Sequence, residues 1–320
     1  MSIILVRRIS QAFFFVLFVW LCVVATVGER FWQLRGWPVE LFLSMDPLAA
    51  LATVLATGSL YRTLAWSLPV IAVTVIFGRV FCGWLCPFGT LHQLTGYLWN
   101  RKKPAAVKIR NNRYRAMQRI KYYVLFLFLA MAFLPRSSVS VQTGLLDPIS
   151  LMTRSVNLFL LPVADNGVGI TSAAGRFYEG AWLVMIVFGA AVLLNLAVPR
   201  FYCRFICPLG ALLGILGGFA IFRIGTHGDA CTDCKKCEDH CEGACEPNGA
   251  IRLPECVMCL NCRDRCGPAT IGYRAAPSTA GETDSPDISR KGFLVSLAGG
   301  ILVMPAFRLA RRFESNFDHT

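Results

Sequence analysis

The chain's most reactive residues are the cysteines between positions 231 and 266. Cys231, Cys234, Cys237 and Cys241 follow the spacing C-x2-C-x2-C-x3-C, and Cys256, Cys259, Cys262 and Cys266 repeat it. In this pattern each run gives three thiolates to one [4Fe–4S] cubane and its fourth to the other. One cluster would then sit on Cys231, Cys234, Cys237 and Cys266, and the second on Cys256, Cys259, Cys262 and Cys241. A disulfide framework fits four C-x2-C pairs in register less well. Zinc takes four ligands, not eight at this spacing. Cys245 is an extra thiol. It stands before Glu246-Pro247-Asn248-Gly249, the kind of turn that usually follows a fourth ligand, so it competes with Cys241. The x3 spacing favours Cys241.

Two further pairs lie outside this stretch: Cys82 with Cys86, followed by Pro87, and Cys203 with Cys207, followed by Pro208. Each is a C-x3-C-P motif. On a helix, i and i+4 thiols face one way. Brought together, the four would form a redox-thiol or further iron–sulfur site; alone, each pair would pack an interface or dock the segment at 231–266. Asp46 and Asp147 both precede Pro. They are candidates for receiving quinol protons, although a helix cap with Pro at its first position explains both. His92 is a candidate for binding quinone or tuning a thiol.

The elements that position these groups belong to a membrane protein. Of the 320 residues, 55% are hydrophobic, only 16% are charged, and mean hydropathy is +0.53. Apolar runs near 11–28, 64–81, 122–134 and 180–198 read as four spans. Nine Lys or Arg fall between residues 101 and 121 with no acid among them. Such a block marks a cytoplasmic loop, and it accounts for the net charge of +13 without nucleic acid. The N-terminus and the cluster segment then lie in the cytoplasm of a multi-pass inner-membrane protein. Residues 29–62 and 135–179 lie outside, with a short helix beginning at Pro47. Phe88 to Trp99 and Leu209 to Ile224 read as amphipathic interfacial helices, the second with Gly210, Gly214 and Gly218 on one face.

The order span, Asp-Pro, span, C-x3-C-P occurs twice in the same orientation. The fold class is therefore mainly α: two parallel two-helix repeats giving four transmembrane helices, a small α+β two-cluster domain, and a candidate fifth C-terminal helix. Residues 1–105 and 106–225 form the membrane repeats, 226–275 the cluster domain, and 276–320 a Pro/Ser/acid-rich linker with a hydrophobic tail. Arg290-Lys291-Gly-Phe-Leu in that tail is similar to a twin-arginine export signal. An axis along the membrane normal would join the two C-x3-C-P motifs inside and the two Asp-Pro motifs outside.

Over roughly residues 5–275 the chain resembles the NapH-like family, membrane-bound ferredoxin-type subunits of periplasmic nitrate reductase systems. It is also similar to the C-terminal part of the regulatory protein NosR and, more loosely, to CcoG-like polyferredoxins. MDPLAAL, FCGWLCPFG, LDPISLMTRS, YCRFICPLG and the paired cysteine runs carry the resemblance. It implies a four-span, quinol-linked electron-transfer subunit with the C-x3-C-P motifs and clusters on the cytoplasmic side. Quinol would be the substrate and a redox protein the partner. The alternative is an assembly or regulatory polyferredoxin that reduces metal centres or thiols of a client. Haem-attachment, dinucleotide and flavin motifs do not occur.

Overall fold

The computed structural model describes residues 2–27, 40–59, 61–133, 146–160, 181–227, 231–232, 234–266 and 270–302. Helix α1 (Ile3–Val27) contains neither Gly nor Pro and carries no acid in its first turn. It starts well before the expected residue 11, so Arg7 and Arg8 belong to the helix. Its outer face exposes Leu5, Ile9, Phe13, Val16 and Trp20, a large apolar stripe of the kind that lipid covers.

After the short α2 (Leu41–Ser44) comes α3 (Pro47–Thr57). The Asp46 carboxylate accepts the Leu48 N–H at 2.8 Å, Pro47 opens the helix, and Gly58 closes it at φ 70°. These are ordinary cap chemistries. Helix α3 packs against α4 (Ser67–Phe77), α7 (Ile120–Phe133) and α11 (Pro208–Gly217), with Asp46 fully buried. A PLAALATVLAT helix is apolar on every face, so burial satisfies it better than water.

The next elements are α5 (Pro87–Asn100), α6 (Ala105–Asn112), α8 (Pro148–Ser155), α9 (Ala181–Ala197) and the single turn α10 (Phe201–Phe205). Among the described residues, two helical stretches are long and apolar enough to cross a membrane, Ile3–Ala25 and Ala105–Phe133. The other two expected spans correspond to shorter apolar helices, Leu64–Phe77 and Trp182–Ala197. At about 1.5 Å per residue, the first of these is about 21 Å long against a hydrocarbon core of about 30 Å. Packing interlocks the two halves. The helix after the first C-x3-C-P, α5, lies on α9, and the helix after the second, α11, lies on α4.

The expected interfacial helix at 209–224 is not one helix. It ends at Gly217, and its Leu209, Ala211 and Leu213 are buried in the core. Gly214 allows this burial, because a Cβ there would stand 2.8 Å from the Pro254 carbonyl oxygen. Residues Arg223–Thr226 then form β1, which pairs antiparallel with β3 (Ile271–Arg274). The cluster segment thus begins a few residues before the expected boundary at 226. It contains α12 (Lys236–Asp239), β2 (Ile251–Arg252) and α13 (Asn261–Cys266). The stretch expected as a linker is packed instead. β4 (Glu282–Thr283) pairs parallel with β2, and the Glu282 carboxylate meets Arg223 at 2.7 Å. Residues 290–302 are helical, with Phe293 edge-on to Phe126 of α7 at 4.7 Å. The remaining tail, 303–320, falls outside the described residues.

Candidate iron–sulfur site

Backbone conformation is the first sign that the cluster segment wraps something. Lys235, Ala244, Glu246, Met258 and Leu260 all have φ between 51° and 60°, in the left-handed region that non-glycine residues avoid. Loops that alternate in this way turn successive N–H groups inward, as iron–sulfur and anion sites require. Cys231, Cys234, Cys237 and Cys266 together line one cavity of ≈190 Å³. Cys259 and Cys262 each lie within electrostatic reach of Cys241 and Cys256. All the second-set thiols are buried. Among the described residues, no three Cys, His, Asp or Glu side chains close on a single metal ion. A cubane instead spreads one thiolate to each of four irons. Two sets of four cysteines on inward-turned loops fit two such groups.

The rival fourth ligands stand side by side. Cys241 and Cys245 are both buried, with their sulfurs 3.5 Å apart. Either sulfur can donate to the other, and Cys245 also bonds Cys256, so both thiols stand within the second set.

The C-x3-C-P pairs do not sit on continuous helices. Proline lacks an N–H and drives the preceding residue out of the helical region. Cys86 (ψ 119°) and Cys207 (ψ 111°) are therefore extended, and each caps the next helix. Gly89 N–H donates to the Cys86 sulfur at 3.4 Å, and Gly210 N–H to the Cys207 sulfur at 3.1 Å. The first cysteines lie one turn earlier, Cys82 in the π-helical turn Phe81–Leu85 and Cys203 in α10. The structure brings all four into one neighbourhood, since Cys207 interacts electrostatically with Cys203, Cys82 and Cys86. A helix N-terminus favours negative charge on each capping sulfur.

Two buried arginines complete this neighbourhood, and sequence reasoning missed them. Arg79 and Arg200 each stand three residues before the first cysteine of a motif, and they are 1% and 2% exposed. Arg200 crosses to the other half, donating to the Cys82 carbonyl at 3.1 Å, and Arg79 lies against Gly210. Arg79 Nε and Nη2 have no hydrogen-bond partner. A buried, under-partnered guanidinium calls for negative charge nearby. Four thiolates, alone or around an iron–sulfur group, would supply it. The legible signal was the shared R-x-x-C-x3-C-P.

Two carboxylates fasten the cluster segment to the helices. Glu242 meets Arg7 at 3.0 Å and Arg200 at 2.8 Å, and it also accepts from Gln93 and Asn261. Burial alone would raise its carboxyl, but the two guanidiniums hold it below the usual carboxylate range. Glu255 plays the same part for the other half, paired with Lys121 and accepting from Tyr122 at 2.9 Å. Between the two anchors, the first motif packs directly on the second ligand loop. Trp84 Nε1 donates to the Met258 carbonyl at 3.0 Å, and Gly83 lies so close to the Val257 carbonyl that no Cβ fits between them.

Of the quinol candidates, Asp46 and Asp147 come together, each capping its helix and the two carboxyls within hydrogen-bonding reach of each other. His92 lies on the buried face of α5, edge-on to Phe88 at 4.5 Å and stacked on Tyr202 at 6.3 Å, the tyrosine within electrostatic reach of Asp147.

A family model described as a 4Fe-4S binding domain matches residues 59–105 and 180–226. Both matches contain a C-x3-C-P motif. The chain is 31% identical to the protein NirI of Paracoccus denitrificans over 78% of its own length and 36% of NirI. It is 28% identical to an uncharacterized protein of Methanocaldococcus jannaschii, covering 85% of this chain and 87% of that one. It is also 28% identical to the ferredoxin-type protein NapH of Escherichia coli, covering 69% and 71%. The chain spans little more than a third of NirI. No solved structure matches it.

Proposed function

We propose, from the premise that this chain is a NapH-like, ferredoxin-type iron–sulfur protein, that it links the quinol pool to a partner oxidoreductase as a membrane-bound electron-transfer subunit. In this reading Cys231, Cys234, Cys237 and Cys266 hold one [4Fe–4S] cluster, and Cys256, Cys259, Cys262 and Cys241 hold the second. Cys82, Cys86, Cys203 and Cys207 form a third redox site on the axis between two membrane repeats. The cluster segment and the basic block at 101–121 face the cytoplasm. A [4Fe–4S] group supplies one-electron transfer at a potential set by its surroundings.

The observation that carries this reading is the packing of the first C-x3-C-P turn against Val257 and Met258. Gly83 and Trp84, between Cys82 and Cys86, touch the residues between Cys256 and Cys259. Arg200 spans the same gap, bonded to the Cys82 carbonyl and to Glu242, next to Cys241. The residues thus hold the two cysteine-bearing loops in direct contact. The interlocking of α5 with α9 and α11 with α4 supports the two-repeat arrangement. Asp46 and Asp147, close to each other and with Asp147 within electrostatic reach of Tyr202, would accept the quinol protons, which is a separate part of the proposal.

The test is anaerobic reduction of the purified, membrane-reconstituted protein by a short-chain quinol, followed by electron paramagnetic resonance. The expected result is reduced-cluster signals appearing with quinol alone. Clusters that respond to dithionite but never to quinol would overturn the quinol link and favour the client-reducing alternative.

A further inference from the structure

A cavity beside the cluster loops reaches Cys241 at one side and is lined by both charged and apolar side chains. Its volume is ≈380 Å³, and it lies between α1, α5, α6 and the cluster segment. Five cations line it, Arg8, Arg101, Lys108, Arg200 and Arg265, against two acids, Asp239 and Glu242. Glu242 is already paired with Arg7 and Arg200, while Asp239 has only His240 at 3.4 Å and offsets one of the cations. Among the described residues Arg8, Arg101, Lys108 and Arg265 have no ion-pair partner. His92 also lines the cavity at 1% exposure, with neither ring nitrogen hydrogen-bonded. Its neighbour Asn195 is largely committed elsewhere, with one lone pair of its oxygen left toward the ring. The Asn195 amide N–H groups go to the His92 carbonyl and Thr95 Oγ1, both at 2.7 Å, and its oxygen takes the Arg200 N–H at 2.6 Å.

We propose that this cavity is a binding site for a phosphate-bearing anion, supplied by an anionic phospholipid headgroup. Unpaired cations and a buried N–H donor in a recess want a polyvalent oxyanion. The rim selects the source. Arg8 lies over the Tyr97 ring at 5.7 Å, joining α1 to α5 at the mouth. The same helices expose Leu5, Ile9, Leu94 and Leu98 next to the rim residues, a surface on which acyl chains can lie. Basic pockets between membrane helices take lipid headgroups in this way. The inference rests on the membrane reading above. It does not need quinol or electron flow.

The experiment titrates the cluster-loaded full chain in detergent with phosphatidylglycerol, phosphatidylcholine or inorganic phosphate, reading bound ligand by native mass spectrometry. The expected result is saturable phosphatidylglycerol binding, about tenfold or more tighter than phosphatidylcholine. The double variant Arg101→Gln/Lys108→Gln should lose that preference. Lys102→Gln/Arg110→Gln removes the same charge from the same segment outside the cavity and should keep it. An unchanged visible spectrum in both variants shows that they fold. Equal losses in the two doubles would mean diffuse surface charge and overturn the site, as would no saturable binding. Inorganic phosphate binding with no lipid preference would overturn the lipid source. Electron transfer is not the readout, so a failure here is distinct from a failure of the proposed function.

Discussion

Glu242→Gln tests how the cluster segment is held to the helices. The carboxylate sits between Arg7, 0% exposed, and Arg200, 2% exposed, at 3.0 and 2.8 Å. Gln keeps the size and removes the charge, leaving two buried guanidiniums without their shared counter-ion. Its new N–H2 group also faces donors. Breaking a buried pair from one side costs about 3–5 kcal/mol. The control is Glu246→Gln. Glu246 pairs with Arg252 at 3.1 Å, but both side chains are about a third exposed, at 30% and 31%. Solvent screens that pair, so its loss should cost no more than about 1 kcal/mol. The assay is limited proteolysis between the helices and the cluster segment under denaturant, with midpoints compared at equal iron content. Glu242→Gln should shift the midpoint several-fold further than Glu246→Gln. Equal midpoints would refute the idea that Glu242 anchors the segment.

Further outcomes are expected elsewhere in the chain. Cys234→Ser and Cys259→Ser should each lower bound iron by about four atoms per chain; an unchanged count in both would sink the ligand sets. Cys241→Ser should lose the second cluster while Cys245→Ser keeps it, and the reverse result on visible spectra would exchange their roles. Cys82→Ala, Cys203→Ala and the double variant should impair quinol-dependent electron transfer to nearly the same extent, because residues acting as a unit are not additive. If the two single losses multiply, these thiols are packing residues. A reporter fused after Asn100 should be active in the cytoplasm and one after Asp165 in the periplasm, following the basic block at 101–121; the opposite pattern would invert the topology.

The sequence by itself determined the chemistry, because ligand identity and spacing are local. Eight cysteines in two equal runs state their cofactor class before any fold is known, and Asp46-Pro47 and Asp147-Pro148 announce helix starts that the structure contains. Long apolar helices were legible for the same reason, as α1 and α7 show. What the tertiary structure decided were the relations between distant residues. Whether residues 209–224 form one helix depended on strand β3, about 50 residues away, which draws 223–226 into a sheet. The stretch 276–289 looked like a linker from composition, yet Glu282 finds Arg223 and β4 finds β2. Arg79 and Arg200 went unmarked in the sequence. Only packing shows them buried beside thiols of the opposite half, held by Pro254 and by Glu242. A charge reveals its role through its partner, and a partner more than 40 residues away is fixed by how helices pack, not by the order in which they are written.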